Sequence, residues 1–273
     1  MPGERLEDAL AAAEQLASGK LGSLLTLLGE NLDSAAEADE VEAHYHGVLD
    51  AVRARGLDAE ISVKLTQLGL DFDAGGACDR LARLAAAAAP STVWVDMESS
   101  GYVDRTLDLY RSVRAEHANV GVCLQSYLRR TPADLEALLP LDPSIRLVKG
   151  AYDEPPSIAY PDKRDVDRSF VELTARMLRA TADGARGRMV VATHDPRMMA
   201  EAGRLAHELG LAPDALEYAM LYGIQQGEQH RLARNGRRVR VLISYGTHWF
   251  AWYMRRLAER PANVWFVLKQ LGR

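Results

Sequence analysis

Eight short runs rich in valine, isoleucine and leucine recur along the chain, each pair separated by enough residues for a helix. They cover residues 23–30, 60–67, 92–98, 120–127, 145–152, 188–195, 216–222 and 239–244. Between them, stretches such as 34–56, 104–118 and 165–185 carry apolar residues at helical spacing. Strands that alternate with helices pair in parallel, and strands apolar along their whole length are covered on both faces. Eight strand–helix units close a (βα)8 barrel of the TIM type, and that is the expected α/β fold. An open doubly wound sheet is the competitor, but it often carries a glycine-rich phosphate loop after its first strand. Here the first run ends in Leu27-Leu28-Gly29-Glu30-Asn31, with neither GxGxxG nor GxxxxGK. Two helices are expected outside the eight units, one over residues 4–18 and one over 262–271 after Pro261.

A chain of 273 residues supports one large core, and barrels commonly occupy roughly 200–250 residues as one domain. No Gly/Ser linker divides it, so residues 1–273 are expected to form a single barrel domain. With 33 basic against 38 acidic residues the net charge is −5, and no basic stretch offers a grip on nucleic-acid phosphates. No apolar run approaches the roughly 20 residues of a membrane helix, and the N-terminus has no signal-peptide core. Cys78 and Cys123 form no CxxC pair, which fits a reduced cytoplasmic setting. No metal is expected. His44 and His46 point to different faces of one helix, and His207-Glu208 lacks the second histidine of HExxH. A GxSxG elbow is also absent.

In barrels of this kind the active site lies at the carboxyl ends of the strands. Nearly every such end here carries a charged or hydrogen-bonding group. They are Glu30, Lys64 with Gln67, Asp96 with Glu98, Gln125, Lys149 with Tyr152, Thr193-His194-Asp195, Tyr222 and Ser244, and Arg146 lies slightly deeper. Ionic groups at a barrel rim are costly unless they pair with each other or with a ligand. Lys64, Arg146 and Lys149, with few carboxylates, suggest an anionic ligand. Each has a plainer reading: Lys64 and Asp96 as a structural bridge between strands, Asp195 as the N-cap of a helix opened by Pro196. The argument for function is their convergence on one rim. Near the end, Arg255 and Arg256 stand one turn before Glu259 among aromatic residues. That spacing gives a salt-bridged helix face or a two-arginine clamp on a carboxylate.

Taken together, the segments SVKLTQLGLD, VDMES, RLVKGAY followed by YPDKRDVD, ATHD, EYAMLYGI, SYG and RRLAERPAN resemble the proline dehydrogenase family over nearly the whole chain. RLVKGAY and RRLxER together are the specific part of the resemblance. It implies a distorted (βα)8 barrel holding FAD, with the last helix above its mouth, that oxidises L-proline to Δ1-pyrroline-5-carboxylate and passes electrons to a quinone.

The resemblance also implies roles. Arg146 would sit by flavin N5, Asp96 would tune the site, and Val148, Lys149, Gly150, Gln125, Thr193, His194 and Glu259 would bind the cofactor. Lys64, Arg255 and Arg256 would hold the substrate carboxylate, with Tyr152 and Leu221 lining the ring pocket. Glu30 and Arg255 would form a gate. Three positions depart from the family pattern: Leu242 and Trp252 replace pocket tyrosines, and Ser244 replaces a proline. They touch the part of the pocket facing the ring carbons, so hydroxyproline or another cyclic imino acid is the alternative substrate. Leu242 offers no hydroxyl to such a ring, which favours proline. The chain is too short for a fused aldehyde dehydrogenase, so a monofunctional enzyme is expected, cytoplasmic or peripheral at the inner face of the membrane. Two further alternatives are a barrel lyase or isomerase using Lys64 or Lys149 without flavin, and a barrel that only binds an amino acid.

Overall fold

The alternation resolves into eight parallel strands closed in sequence order, β1 through β8, with β8 returning to β1. The computed structural model describes residues 1–29, 32 and 34–249. The strands are β1 (Gly22–Leu27), β2 (Ala59–Val63), β3 (Val93–Val95), β4 (Val120–Gln125), β5 (Ser144–Val148), β6 (Met189–Ala192), β7 (Leu216–Leu221) and β8 (Arg238–Tyr245). The helices are α1 (Leu6–Ser18), α2 (Ala35–Ala54), α3 (Ala74–Ala88), α4 (Val103–Glu116), α5 (Thr131–Leu138), α6 (Lys163–Ala182), α7 (Pro196–Glu208) and α8 (Gln226–Arg234). The barrel expectation is met. The expected helix over 262–271 and the segment carrying Trp252, Arg255, Arg256 and Glu259 lie outside the described residues, as does Glu30.

Every strand but β8 is shorter than its apolar run suggests. β2 stops at Val63, β3 at Val95, β5 at Val148 and β6 at Ala192, so Lys64, Asp96, Lys149 and Thr193 each stand just past a strand end. Ladder pairing ends there because the next residues turn out to line the mouth. Gln67 falls in a 3-10 turn, where its amide donates to Leu27 O and Gly29 O at 3.1 and 2.8 Å. That residue fastens the loop after β1, which corrects its place among the rim candidates.

Side chains alternate across each strand, so every second residue faces the barrel axis. Leu24, Trp94, Val190 and Ala219 form a small core inside the barrel, with Ala192 and Leu242 packed on it. The larger core fills the space between the barrel wall and the helices. Below Trp94 lies a floor of charge. Arg188 donates to Glu60 at 2.5 Å and to Glu217 at 2.7 and 2.8 Å, and Arg240 Nε lies 3.2 Å from Glu60 and 3.3 Å from Glu217. Two arginines and two glutamates cancel, which is what allows the glutamates to be buried. Helix α1 packs against β8 and β1, the place a regular barrel gives to its eighth helix.

Candidate active site

Three charged side chains converge at the mouth from β2, β3 and β5. Inward positions bring Ser62 level with Trp94 and Cys123 level with Arg146, so the residue after β3, Asp96, meets Arg146 across the axis. Arg146 is almost wholly buried; its Nη2 donates to Asp96 and, at 3.1 Å, to Ser62 Oγ. Ser62 Oγ donates to Asp96 Oδ1 at 2.7 Å, and Lys64 Nζ lies 3.7 Å from Asp96 Oδ2. Burial alone would push the Asp96 carboxyl up, but Arg146 and Lys64 outweigh it and hold the group below the usual range. Burial pushes the Cys123 thiol up, so the sulfur beside Arg146 is a neutral thiol. Lys64 and Arg146 against Asp96 leave one net positive charge, which a single carboxylate would neutralise.

A second cluster forms where β5 and β6 feed α6 and α7. Lys149 Nζ donates to Asp167 at 2.5 Å and to Asp195 at 3.2 Å. Lys163 and Arg197 join the same two carboxylates, at 2.9 Å to Asp167 and 3.1 Å to Asp195. Burial would raise Asp195, yet hydrogen bonds from Arg197 and Lys149 hold it far below the carboxylate range. Three cations against two carboxylates again leave a net positive charge, here beside two helix N-termini, an arrangement that favours an anion. Asp195 caps α7 by accepting from Arg197 N, so the plain reading of that residue also holds. The rim is therefore not short of carboxylates, as the sequence suggested. Asp96, Asp167 and Asp195 neutralise most of its positive charge, and Asp167 with its partners Lys163 and Arg197 escaped notice. Its signal was present: Lys163 and Asp167 are four apart at the start of a helix.

The other expected residues stand around the same rim. Gln125 Nε2 donates to Met97 O and Glu98 O at 3.1 and 3.3 Å, which fixes the amide. Its Oε1 and Arg146 Nη1 are buried without hydrogen-bond partners. Val148 and Gly150 flank Lys149, and Tyr152 is half-buried in the loop that follows. Thr193 Oγ1 accepts from Asp195 N at 3.1 Å, and His194 Nε2 accepts the Leu221 N–H at 2.9 Å. Leu221 and Leu242 are register partners on β7 and β8 and form an apolar wall. Beside it stand Thr26 and Ser244, register partners across β1 and β8 and both buried; the Ser244 hydroxyl has no hydrogen-bond partner, and the Thr26 hydroxyl has only that of Tyr45 beside it. The sequence placed Ser244 among the strand-end groups and marked it as a departure from the family pattern, whereas Thr26 was not found. Glu98 accepts from Thr66 N and Oγ1 at 3.2 and 2.8 Å and ties two rim loops together. No cluster of three or more metal-ligating side chains occurs among the described residues.

A closed parallel barrel with ionic groups gathered at its carboxyl end belongs to the barrel enzymes. Comparison with known proteins narrows this. A family model described as proline dehydrogenase matches residues 9–269. The chain is 37% identical to proline dehydrogenase 1 of Bacillus subtilis (strain 168) over 269 residues, covering 98% of this chain and 87% of that protein. It is 38% identical to proline dehydrogenase of Deinococcus radiodurans over 275 residues, with the same coverage. The chain belongs to the proline dehydrogenase family and is an oxidoreductase. Its fold is similar to that of proline utilization A from Bdellovibrio bacteriovorus, at a TM-score of 0.86 and 22% identity over 94% of this chain. The chain spans 32% of the length of that structure.

Proposed function

We propose that the protein oxidises L-proline to Δ1-pyrroline-5-carboxylate with FAD, as the first step of proline catabolism, and passes the electrons to a quinone. The observation that carries this reading is the Lys64–Asp96–Arg146 trio, one charge positive and set beside the leucine wall. A small ring bearing a carboxylate matches both. The residues present fit the cofactor. Gln125 Oε1 and Arg146 Nη1 are buried polar atoms awaiting partners, and the Lys149 cluster offers its positive charge to a diphosphate. FAD, when bound, supplies the two-electron acceptor for the hydride leaving C5.

The chain's own groups do the rest. Lys64, with Arg255 and Arg256, anchors the carboxylate, which is chiefly a task of positioning. Leu221, Leu242, Tyr152 and Trp252 enclose the ring. Arg146 stabilises negative charge accumulating on the cofactor, and Asp96 keeps both cations in place. The ring amine releases its proton to solvent before the site closes, so that its lone pair can assist hydride departure. Gln125, Val148, Lys149, Gly150, Thr193, His194 and Glu259 hold the cofactor. Glu30 and Arg255 close the site against water. A Schiff-base lysine is disfavoured, because Lys64 and Lys149 are ion-paired and not in apolar surroundings. No helix among the described residues is long and apolar enough to cross a membrane. As a separate part of this proposal, quinone reduction takes place with the protein cytoplasmic or peripheral at the inner face.

The purified protein is expected to show flavin absorption bands that bleach on anaerobic addition of L-proline. A colourless protein that gains no flavin on incubation with FAD would overturn the cofactor assignment. Bands that proline leaves unbleached would overturn the substrate.

One observation favours a second reading of the substrate. Ser244 Oγ is buried beside the leucine wall with nothing to bond, Thr26 Oγ1 has only the Tyr45 hydroxyl beside it, and a ring hydroxyl would give both a partner. A hydrogen bond of this kind contributes about 1 kcal/mol. Thr26→Val and Ser244→Ala are each expected to lower kcat/KM for hydroxy-L-proline by about fivefold while leaving L-proline within about twofold. Equal changes for both substrates would remove this reading.

A further inference from the structure

Arg146 is held from two sides, and the reading above uses only one. Towards the mouth its guanidinium meets Asp96 and Ser62. On its other flank its carbon Cζ lies 5.5 Å from the centre of the Trp94 ring. Trp94 is 1% exposed and can retreat in no direction. From the floor side Arg188 approaches the same ring at 5.3 Å. The indole Nε1–H donates to Glu60 Oε2 at 2.8 Å, and Glu60 is itself gripped by Arg188 and Arg240. Sideways, the ring occupies space that exists only because β4 carries Gly121 opposite it: a Cβ there would lie 2.6 Å from the ring. The floor charges thus form a rigid base under the indole, and the indole supports the arginine. A guanidinium over an aromatic face gains electrostatic attraction, which is larger where water is excluded.

We propose that Trp94 is a positioning residue for the oxidation chemistry. It fixes the height of Arg146 below the cofactor, and the Glu60–Arg188–Glu217–Arg240 layer exists in part to hold it there. This rests on the assignment of Arg146 to the cofactor. The role assigned to Trp94 is exerted through the guanidinium, not by contact with the reacting groups. Loss of that support lets Arg146 sink into the void left by the indole, away from Asp96 and from the developing negative charge. Substrate anchoring by Lys64 is left in place.

The test measures the FAD midpoint potential, kcat and KM for L-proline in the holoenzyme, for Trp94→Phe and Gly121→Ala. Each is made in the native background and in Arg146→Met. In the native background each variant is expected to lower kcat about tenfold with KM within about threefold. Each should also lower the potential by about 30 mV, the equivalent of tenfold for a two-electron couple. In the Arg146→Met background neither substitution should shift the potential further, because the group it acts through is gone. A native potential in Trp94→Phe, or the same shift with and without Arg146, overturns the proposal and leaves Trp94 as core filling. Arg146→Met with native potential and turnover would instead sink the assignment of Arg146, and this inference with it. Should Gly121→Ala fail to fold, Trp94→Phe decides alone, since it removes the Nε1–H bond without adding bulk.

Discussion

Asp96→Ala is expected to lower the unfolding free energy by about 3–5 kcal/mol and to abolish proline-dependent flavin reduction. Removing one member of a buried ion pair strands its partner, and such changes cost about this much. Here two partners are stranded, Arg146 at 5% and Lys64 at 8% exposure, and Ser62 loses its acceptor. The mechanism can be separated from simple cavity formation. Arg146→Met combined with Asp96→Ala removes both charges, and replacing a buried pair by apolar groups is often near neutral. The double variant should therefore be more stable than Asp96→Ala, although inactive. Urea unfolding of the two variants and the native protein checks this; a double variant less stable than Asp96→Ala would contradict it. The same carboxylate sets an acid limb. Its folded pKa lies below its unfolded value near 3.9, so its stabilisation is complete above about pH 4. It is lost as pH falls further, and Asp96→Asn should flatten that part of the stability profile.

Gly150→Ala should be nearly as damaging, and for a backbone reason. Gly150 has φ +123°, which residues with a side chain rarely adopt, and a Cβ there would lie 2.2 Å from Tyr127 Cδ1. The tyrosine has little freedom to yield, because its N–H donates to Lys149 O and its carbonyl accepts from Tyr160 N, both at 2.8 Å. Strain of this kind costs about 1–3 kcal/mol and overpacking a similar amount. Together about 3 kcal/mol or more is expected, with FAD affinity reduced because Lys149 is the adjacent residue. Gly223→Ala is the control: its φ is +78° but nothing lies within 4 Å of the added atom, so only the strain should appear. Thermal unfolding and FAD titration of both variants provide the comparison. Equal losses would show that the contact with Tyr127 contributes nothing.

The barrel was legible because its signals are local and repeated. Continuous apolar runs mark strands covered on both faces, and the helical stretches between them leave a parallel order as the simple solution. Strand ends were less legible, since Lys64 and Asp96 extend their runs without a break, and only ladder geometry shows where pairing stops. The rim residues were found through their placement at those ends, and the family signature supplied the roles proposed for them. Thr26 and Trp94 were not singled out. Each reads as an ordinary strand residue, and neither threonine in Ser23–Leu27 nor tryptophan in Val93–Val95 carries a mark of what it faces.

By itself the sequence determined the fold class, because the alternation of strand and helix is a property of the chain alone, and its motifs pointed to the family to which the chain belongs. The tertiary structure decided which charges meet. Asp167 with Lys149, Asp96 with Arg146, and Trp94 between two arginines are pairings set by register between strands and by the direction of side chains across the barrel. Such contacts bring together residues tens of positions apart, as in the 50-residue separation between Asp96 and Arg146. Electrostatic energy depends on those distances in space and on burial, neither of which the order of residues states.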